Sequence, residues 1–200
     1  TRAMKAKERG LEPLADLLLE FRHGLDVTGY RRDLDLIRGV ATVRYKAAGV
    51  FYRREYLISA VDDVIAVRLG ADKPGAISLS VTLTRKKDMQ LSSERGMLKM
   101  DGQIVDIEAP KARDDNPGGS GPGGPHMQFA GRLKVEAAGG SVKAERDKLV
   151  IEQADEVLLL FTAATDYNLS KMDFDRSIDP AGTADEILRN VSGKSWAEIK

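Results

Sequence analysis

Residues 77–84 read Ile-Ser-Leu-Ser-Val-Thr-Leu-Thr, a stretch in which apolar and hydroxyl side chains alternate without exception. Because successive side chains of an extended chain point to opposite faces, the four apolar side chains share one face of a strand. Residues 129–136 show a similar alternation around Leu133 and Val135. Both stretches predict β-strands with one face on a core and the other face in water.

Turn-forming residues separate the predicted strands at short intervals. Ala48-Gly49 joins residues 40–45 to residues 50–59 as a hairpin, and Lys73-Pro74-Gly75 leads into residues 76–84. Proline presets φ for such a turn, and glycine accepts positive φ. Many short strands joined by tight turns predict a mainly β fold, an antiparallel β-sandwich or barrel, rather than a fold built from βαβ units.

Composition along the chain predicts three regions. Residues 1–12 are an irregular lead-in, residues 13–179 form the β-domain, and residues 180–200 begin a helical segment. Within the β-domain, the Gly- and Pro-rich residues 109–125 cannot bury enough apolar area to offset their ordering entropy, which predicts a flexible loop. A linker between two domains is the alternative, but the strands on both sides share one style of alternation, which favours a single domain.

The final residues change from strand chemistry to helix chemistry. Thr183-Ala184-Asp185-Glu186 matches a capping box, which predicts a helix that has Thr183 as its N-cap and Glu186 at N3. A β-domain that ends in an unfinished helical segment, and that starts with Thr1 rather than methionine, leads us to expect a piece of a longer protein.

The balance of charge limits the expected partners. Lys and Arg together number 31, and Asp and Glu together number 31, so the formal net charge is zero and a nucleic-acid surface is not indicated. The chain contains no cysteine, which excludes disulfides and thiolate metal sites. No stretch approaches the roughly 20 apolar residues that a membrane helix needs, so no membrane partner is predicted.

Two histidines, His23 and His126, are the first candidates for site chemistry. Neither lies in an H-x-x-H or H-E-x-x-H pattern, so no helical metal site and no cofactor are predicted. His23 precedes Gly24 at a strand end, which is typical of a surface turn. His126 follows the glycine-rich loop and opens residues 127–136, so it could lean into a binding cleft, since loops often carry function.

Carboxylates are plentiful, and a glycosidase needs two facing carboxyl groups about 5–10 Å apart. Asp33 and Asp35 share one face of a predicted strand. Three nearby arginines, Arg31, Arg32 and Arg38, predict a structural charge network with them. Sequence alone does not show which carboxylates face each other, so no catalytic residue is assigned. The other candidates are Glu55, Asp62, Asp63, Asp114 and Asp115.

Two further patterns have more than one interpretation. Aromatic residues spaced within strands could stack on a sugar but are more typical of a core. Asn168-Leu169-Ser170 and Asn190-Val191-Ser192 match the N-glycosylation pattern, which is short enough to arise by chance. No substrate-binding residue is assigned from either pattern. The aromatic residues are Tyr30, Phe51, Tyr52, Tyr56 and Phe129.

Four blocks in the first third of the chain carry a resemblance to a known family. They read Pro-Leu-Ala-Asp-Leu-Leu-Leu-Glu-Phe (13–21), Tyr-Arg-Arg-Asp-Leu-Asp-Leu (30–36), Tyr-Arg-Arg-Glu-Tyr (52–56) and Asp-Val-Ile-Ala-Val-Arg-Leu (63–69). In order and spacing they resemble the N-terminal β-sandwich domain of family-95 glycoside hydrolases, the α-L-fucosidase family. Later landmarks are similar too, at residues 129–135, at residues 154–168 and at Asp179-Pro180.

The resemblance implies a fold and an activity for a parent protein. The fold would be a β-supersandwich, similar to galactose mutarotase, followed by a helical linker and an (α/α)6 barrel against which this chain packs. The activity would be inverting hydrolysis of terminal α-L-fucosyl, or α-L-galactosyl, linkages of glycans by residues of the barrel, without a cofactor. We therefore expect this chain to carry no catalytic residue, to be inactive alone, and to expose apolar surface that meets the barrel. The parent is expected to be secreted or periplasmic.

Two other functions stay open. The chain could be a stand-alone β-sandwich that binds carbohydrate or protein without catalysis. It could also be a structural domain of another helical-barrel glycosidase or phosphorylase, because fold does not determine function. Saturable fucoside binding by a folded monomer of 200 residues would favour the first of these.

Overall fold

The computed structural model describes residues 16–24, 26–106 and 124–200. Residues 1–12 and residues 109–123 of the predicted loop lie outside this part of the chain, and Gly124 and Pro125 open a strand. The described elements are β1 (Asp16–Phe21), β2 (Val27–Asp35), β3 (Val40–Ala47), β4 (Val50–Ser59), β5 (Val64–Ala71), β6 (Ile77–Thr84), β7 (Met89–Glu94), β8 (Met97–Asp106), β9 (Gly124–Ala138), β10 (Ser141–Glu145), β11 (Lys148–Ala154), β12 (Glu156–Thr165), β13 (Tyr167–Asn168), β14 (Asp173–Phe174), α1 (Pro180–Val191) and α2 (Trp196–Ile199).

The strands form two large sheets and one small one. The four-stranded sheet has the order β1-β6-β11-β10, the eight-stranded sheet has the order β2-β3-β4-β5-β12-β9-β8-β7, and β13 pairs with β14. The strand pairs described are antiparallel. The predicted antiparallel β-sandwich is therefore confirmed.

The main core lies between the two large sheets. The alternation of residues 77–84 works as predicted, since Ile77, Leu79, Val81 and Leu83 of β6 are all at most 1% exposed. Strands β5, β8, β9, β11 and β12 contribute the other buried side chains of this core. Burying apolar side chains between two sheets is the main contribution to the stability of such a fold.

A second core lies on the opposite face of the eight-stranded sheet, where the sequence predicted water. Strand β12 shows this change most clearly, because Val157 and Leu159 face the first core while Leu158 and Leu160 face the second. Helices α1 and α2 cover this outer face. The expectation of one wet face was wrong for β9, because alternation within a strand does not reveal a helix that returns from elsewhere in the chain.

Arg132 of β9 also lies in a different environment from the one that the sequence predicted. The alternation of residues 129–136 placed it in water, but it is 2% exposed beneath α1. Its Nε donates to Asp185 Oδ1 of α1 at 2.7 Å, and its Nη1 lies 2.9 Å from Asp101 Oδ1. Nη1 also donates to the carbonyl oxygens of Met100 and Gly131. A guanidinium buried in this way needs such partners, because an unpaired buried charge is costly.

Helix α1 begins one turn earlier than the capping box predicted. Asp179 is the N-cap, and its Oδ1 accepts from the backbone N–H of Ala181 at 3.0 Å. Pro180 follows at N1, where its fixed φ suits a helix and its missing N–H costs nothing. Thr183 lies inside the helix, and its hydroxyl donates to the Asp179 carbonyl. The capping box of this region belongs to α2, between Ser195 and Glu198.

No helix in the described ranges is long and apolar enough to cross a membrane.

Candidate functional site

The two large sheets differ in width, and the difference leaves a cavity. Strands β2, β3 and β4 contribute no buried side chain to the core between the sheets. Tyr45 and Tyr52 of their inner face are buried in a small separate cluster, and a cavity of about 710 Å³ lies against the rest of that face. We call this cavity the trough and define it by Arg32, Leu34, Ala41, Val43, Arg54 and Tyr56.

Strand register explains the shape of the trough. Arg32 pairs with Val43, and Val43 pairs with Arg54, so a small side chain lies between two long ones. In the next inward-facing row Leu34, Ala41 and Tyr56 repeat the arrangement. Residues paired across neighbouring strands share a face of the sheet. The floor of the trough therefore follows β3, and its two walls rise from β2 and β4.

Aromatic rings hold the Arg54 guanidinium in place. Its central carbon lies 3.8 Å from the centroid of the Phe21 ring and 4.7 Å from that of the Tyr45 ring. Its Nε donates to the Tyr45 hydroxyl at 3.2 Å, and its Nη2 donates to the same oxygen. Cation–π contacts of this kind stabilise a guanidinium that has left bulk water.

The hydrogen bonds of Tyr45 also decide the tautomer of His23. Arg54 donates only, so the Tyr45 oxygen accepts from it. The Gly24 carbonyl accepts only and lies 2.9 Å from His23 Nδ1, so this nitrogen carries the proton. His23 Nε2, at 2.7 Å from the Tyr45 hydroxyl, then accepts from Tyr45. The Tyr45 hydroxyl and both ring nitrogens of His23 thereby each have a hydrogen-bond partner.

Burial raises the pKa of the Tyr45 phenol, although the neighbouring Arg54 acts in the opposite direction. The pKa of Tyr52 is raised as well, chiefly by burial. Both phenols are therefore neutral near pH 7, where Tyr45 donates its proton as a hydrogen bond and is no nucleophile. The chemistry that this arrangement supports is binding rather than covalent catalysis.

The two histidines lie in different places. His23 was expected in a surface turn, but its ring is half-buried and lies 4.7 Å from the Tyr52 ring and 5.3 Å from the Phe21 ring. His126 lies at the start of β9 and contacts Phe174 edge-on. Strands β5 and β12 separate β9 from the trough. The structure does not bring the two histidines into one site.

The charge network predicted around β2 is confirmed in part. Arg31 Nε lies 2.8 Å from Asp33 Oδ1, and Arg38 Nη1 lies 2.8 Å from Asp35 Oδ2. Hydrogen bonds from Arg38 lower the pKa of Asp35. Arg32 was predicted to join this network and does not, because strand alternation turns it away from Arg31 into the trough.

Other predicted carboxylates also lie against cations. Glu55 is buried between Arg53, at 2.7 Å, and Arg68, at 3.8 Å. Asp62 binds Lys194 at 2.5 Å. Asp63 occupies the β4–β5 turn with positive φ, and Asp114 and Asp115 lie outside the described residues. No group of three or more metal-binding side chains occurs among the residues that the structure describes.

The aromatic residues predicted to be core residues divide into two groups. Tyr52 and Phe129 are buried as expected, and Tyr56 is half-buried in a wall of the trough. Tyr30 is 59% exposed and borders the trough, and Phe51 is also exposed. The expectation was wrong for Tyr30 because β2 extends beyond the smaller sheet. It was wrong for Phe51 because this residue, near the start of β4, lies on the face opposite Tyr52, Arg54 and the trough.

The two glycosylation patterns differ in accessibility. The Asn168 side chain donates from Nδ2 to Asp175 at 3.2 Å and accepts from the Ser170 N–H, so its amide is engaged. Asn190 is exposed on α1.

Sequence reasoning did not single out Tyr45 and Arg54, the residues that organise the trough. The Ala48-Gly49 hairpin contained the signal, because a two-residue turn pairs Tyr45 with Tyr52 and Val43 with Arg54. The contact of this hairpin with His23 joins positions 22 residues apart and left no local pattern.

Comparisons with known proteins agree with this fold. Alpha-L-fucosidase 2 of Arabidopsis thaliana is 30% identical over 201 residues, which cover 93% of this chain and 23% of that protein. A solved structure described as a kojibiose phosphorylase from the human microbiome shares the fold, with a TM-score of 0.56 and 10% identity over 90% of this chain and 26% of that one. The chain thus spans about a quarter of the length of these relatives.

The family comparison is more extensive. The family described as "Glycosyl hydrolase family 65, N-terminal domain" matches residues 1–170. Membership of family 95, which the sequence blocks led us to expect, is not confirmed by this match and stays a prediction. Because the match covers most of the sequence, the chain belongs to the N-terminal domain family of glycosyl hydrolase family 65.

Proposed function

We propose that this chain is the N-terminal domain of an α-L-fucosidase-like glycoside hydrolase, which removes terminal α-L-fucosyl residues, or α-L-galactosyl residues, from glycans with inversion. The observation that carries the proposal is the 30% identity to alpha-L-fucosidase 2 over 93% of the chain. The family match supports the coarser statement that the parent is a glycosidase.

The proposal assigns the reacting carboxyl groups to another part of the parent. Inverting hydrolysis needs an acid and a base about 6.5–9.5 Å apart with a water molecule between them. In the described residues, Asp33, Asp35, Glu55 and Asp62 are each bound to Arg or Lys. Such pairing suits a structural role, since a general acid must hold its proton near neutral pH.

A surface at one end of the sandwich supports packing against a further domain, an (α/α)6 barrel in this proposal. We call it the apolar end and define it by Leu36, Ile37, Ile58 and Val61, which are 83%, 96%, 74% and 94% exposed. They belong to the β2–β3 turn, the β4–β5 turn and the end of β4, which lie together because Val40 pairs with Leu57. Contiguous exposed apolar residues of this kind mark interaction surfaces.

The position of α2 supports the same partner. Lys194 Nζ binds Asp62 of the β4–β5 turn at 2.5 Å, and Ile199 packs with Val40 and Leu57 at that end of the sheet. Polypeptide that follows α2 in a longer parent would therefore start beside the apolar end. A secreted or periplasmic location of the parent is part of the proposal.

The test is fucose release by the full-length gene product from an aryl α-L-fucoside and a fucosylated oligosaccharide, with this 200-residue chain assayed in parallel. We expect activity from the parent, in the medium or periplasmic fraction, and none from the chain. Phosphate-dependent cleavage of a glucosyl disaccharide instead would identify a phosphorylase parent and refute the fucosidase proposal. A native product of only 200 residues would favour a stand-alone binding module.

A further inference from the structure

We propose that the trough binds an acidic sugar, meaning a saccharide residue that carries a carboxylate or a sulfate group. The proposal concerns the chain's own binding chemistry and goes beyond fucosyl hydrolysis by the parent. It rests on two uncompensated arginines, on the fixed position of one of them, and on aromatic walls of suitable size.

The charge of the trough is the first step. Arg32 and Arg54 stand on either side of Val43, and neither pairs with a carboxylate among the residues that the structure describes. The acidic residue that borders the trough is Asp33, which is already paired with Arg31 at 2.8 Å and lies 3.7 Å from Arg44. Two positive charges therefore face the cavity without a negative partner, in a chain whose net charge is zero.

The second step is that Arg54 is held in position before any ligand arrives. Its guanidinium lies between the rings of Phe21 and Tyr45 and donates from Nε and Nη2 to the Tyr45 hydroxyl. A guanidinium has five N–H donors in a planar fork, so donors remain for a carboxylate or a sulfate. A side chain that is ordered in advance loses less conformational entropy when a ligand binds.

The third step is the shape and chemistry of the walls. Tyr30 and Tyr56 place phenol rings beside the arginines, and Leu34 adds apolar surface. Aromatic rings with a polar tip suit ligands that have both apolar faces and hydroxyl groups, as a sugar ring does. The volume of about 710 Å³ lies within the range of pockets that enclose small organic ligands and exceeds what a simple anion needs.

Titration calorimetry on the 200-residue chain tests the proposal, with three trisaccharides as probes. They are a galacturonic acid trimer, a sulfated galactose trimer and the uncharged galactose trimer. We expect at least one acidic trimer to bind about 10- to 100-fold more tightly than the neutral one, as charge-assisted hydrogen bonds predict. The stronger of the two acidic probes distinguishes carboxylate from sulfate recognition. Added salt should weaken the binding, since ions screen exposed charges.

Two matched variants distinguish binding in the trough from binding elsewhere on the surface. Arg32→Gln should weaken acidic-trimer binding about tenfold or more, because it removes one charge from the wall. Lys46→Gln is the control, since Lys46 is an exposed cation on the face of β3 opposite the trough. It should change the affinity by less than about twofold. Circular dichroism establishes that both variants fold.

Three outcomes would overturn the proposal. Equal affinity for the neutral and acidic trimers would show that the arginines do not recognise the acidic group. Displacement of the acidic trimer by inorganic sulfate at the same concentration would show that the trough binds simple anions and does not recognise a sugar. Equal losses in Lys46→Gln and Arg32→Gln would show that the trimer binds outside the trough. None of these results bears on fucose release by the parent, so the two proposals fail separately.

Discussion

At the residue scale, one phenol organises the region next to the trough. The Tyr45 hydroxyl accepts from Arg54 and donates to His23, and its ring contacts the arginine as well. The interaction joins three strands, because His23 follows β1 while the other two residues lie on β3 and β4. A single buried oxygen atom therefore connects the smaller sheet to the larger one.

Removing the Tyr45 hydroxyl oxygen should lower the stability of the fold. Tyr45→Phe leaves donors of Arg54 and the Nε2 atom of His23 without their partner, and an unsatisfied buried polar group costs about 1–3 kcal/mol. We expect the free energy of unfolding, measured by urea denaturation, to fall by that amount. Tyr30→Phe is the control, because Tyr30 is largely exposed. Its free energy of unfolding should stay within about 0.5 kcal/mol of that of the unmodified chain. Equal effects of the two substitutions would contradict the assigned role of Tyr45.

At the element scale, α1 is fastened to the eight-stranded sheet through a buried charge. Arg132 of β9 is bound by Asp185 of α1 and by Asp101 of β8. Leu188 and Val191 of the same helix are buried in the second core. Apolar packing supplies the contact area, and the ion pair specifies where along β9 the helix lies.

Breaking this ion pair tests the role of Asp185. Asp185→Ala leaves the Arg132 guanidinium buried with Asp101 and two carbonyl oxygens, so we expect a loss of about 1–3 kcal/mol rather than the full effect of an unpaired charge. Chemical denaturation measures the change. Glu186→Ala removes an exposed carboxylate from the next position of α1 and should change the stability by less than about 0.5 kcal/mol.

The attachment of α2 should depend on pH. The hydrogen bond from Lys194 lowers the pKa of Asp62, so its folded-state pKa lies below the unfolded value of about 3.9. A lowered carboxyl pKa contributes stability above the unfolded value, and this stability is lost as the pH falls through the folded value. Trp196, the only tryptophan, is the first residue of α2 and packs against the second core, so its emission reports whether this helix is attached.

We expect the Trp196 emission to shift to longer wavelength below about pH 4, as the protonated Asp62 releases Lys194 and α2 loosens. In Asp62→Asn, the Trp196 emission should already lie at the longer wavelength near pH 7. The part of the acid transition that comes from the Asp62–Lys194 pair should be absent. An unchanged emission maximum in that variant would mean that apolar packing alone holds α2.

At the scale of the whole molecule, unequal sheets leave two surfaces uncovered. The trough is the inner face of β2–β4 beyond the narrower sheet, and the apolar end is formed by the turns at one end of the same strands. The first is polar and aromatic, which suits a ligand. The second is apolar, which suits a protein partner.

The apolar end should make the isolated chain self-associate. We expect light scattering to show oligomers that grow with protein concentration, and a combined Ile37→Lys and Val61→Lys variant to remain monomeric with unchanged stability. Both side chains are almost fully exposed, so the lysines bury no charge. Leu169→Lys, at an exposed position in the β13–β14 turn, is the control and should not reduce association. A clean monomer of the unmodified chain at high concentration would contradict the prediction.

The sequence by itself determined the strands, their antiparallel pairing through short turns, and the local ion pairs of Asp33 with Arg31 and of Asp35 with Arg38. These features depend on neighbours a few residues apart, and side-chain alternation and turn chemistry report such neighbours directly. Only the tertiary structure decided that helix α1 covers β9 and β12, and that Arg132 is buried while Arg32 faces a cavity. Those outcomes depend on the relative width of two sheets and on a helix that returns from the far end of the chain, and no local pattern encodes contacts between segments so far apart in sequence.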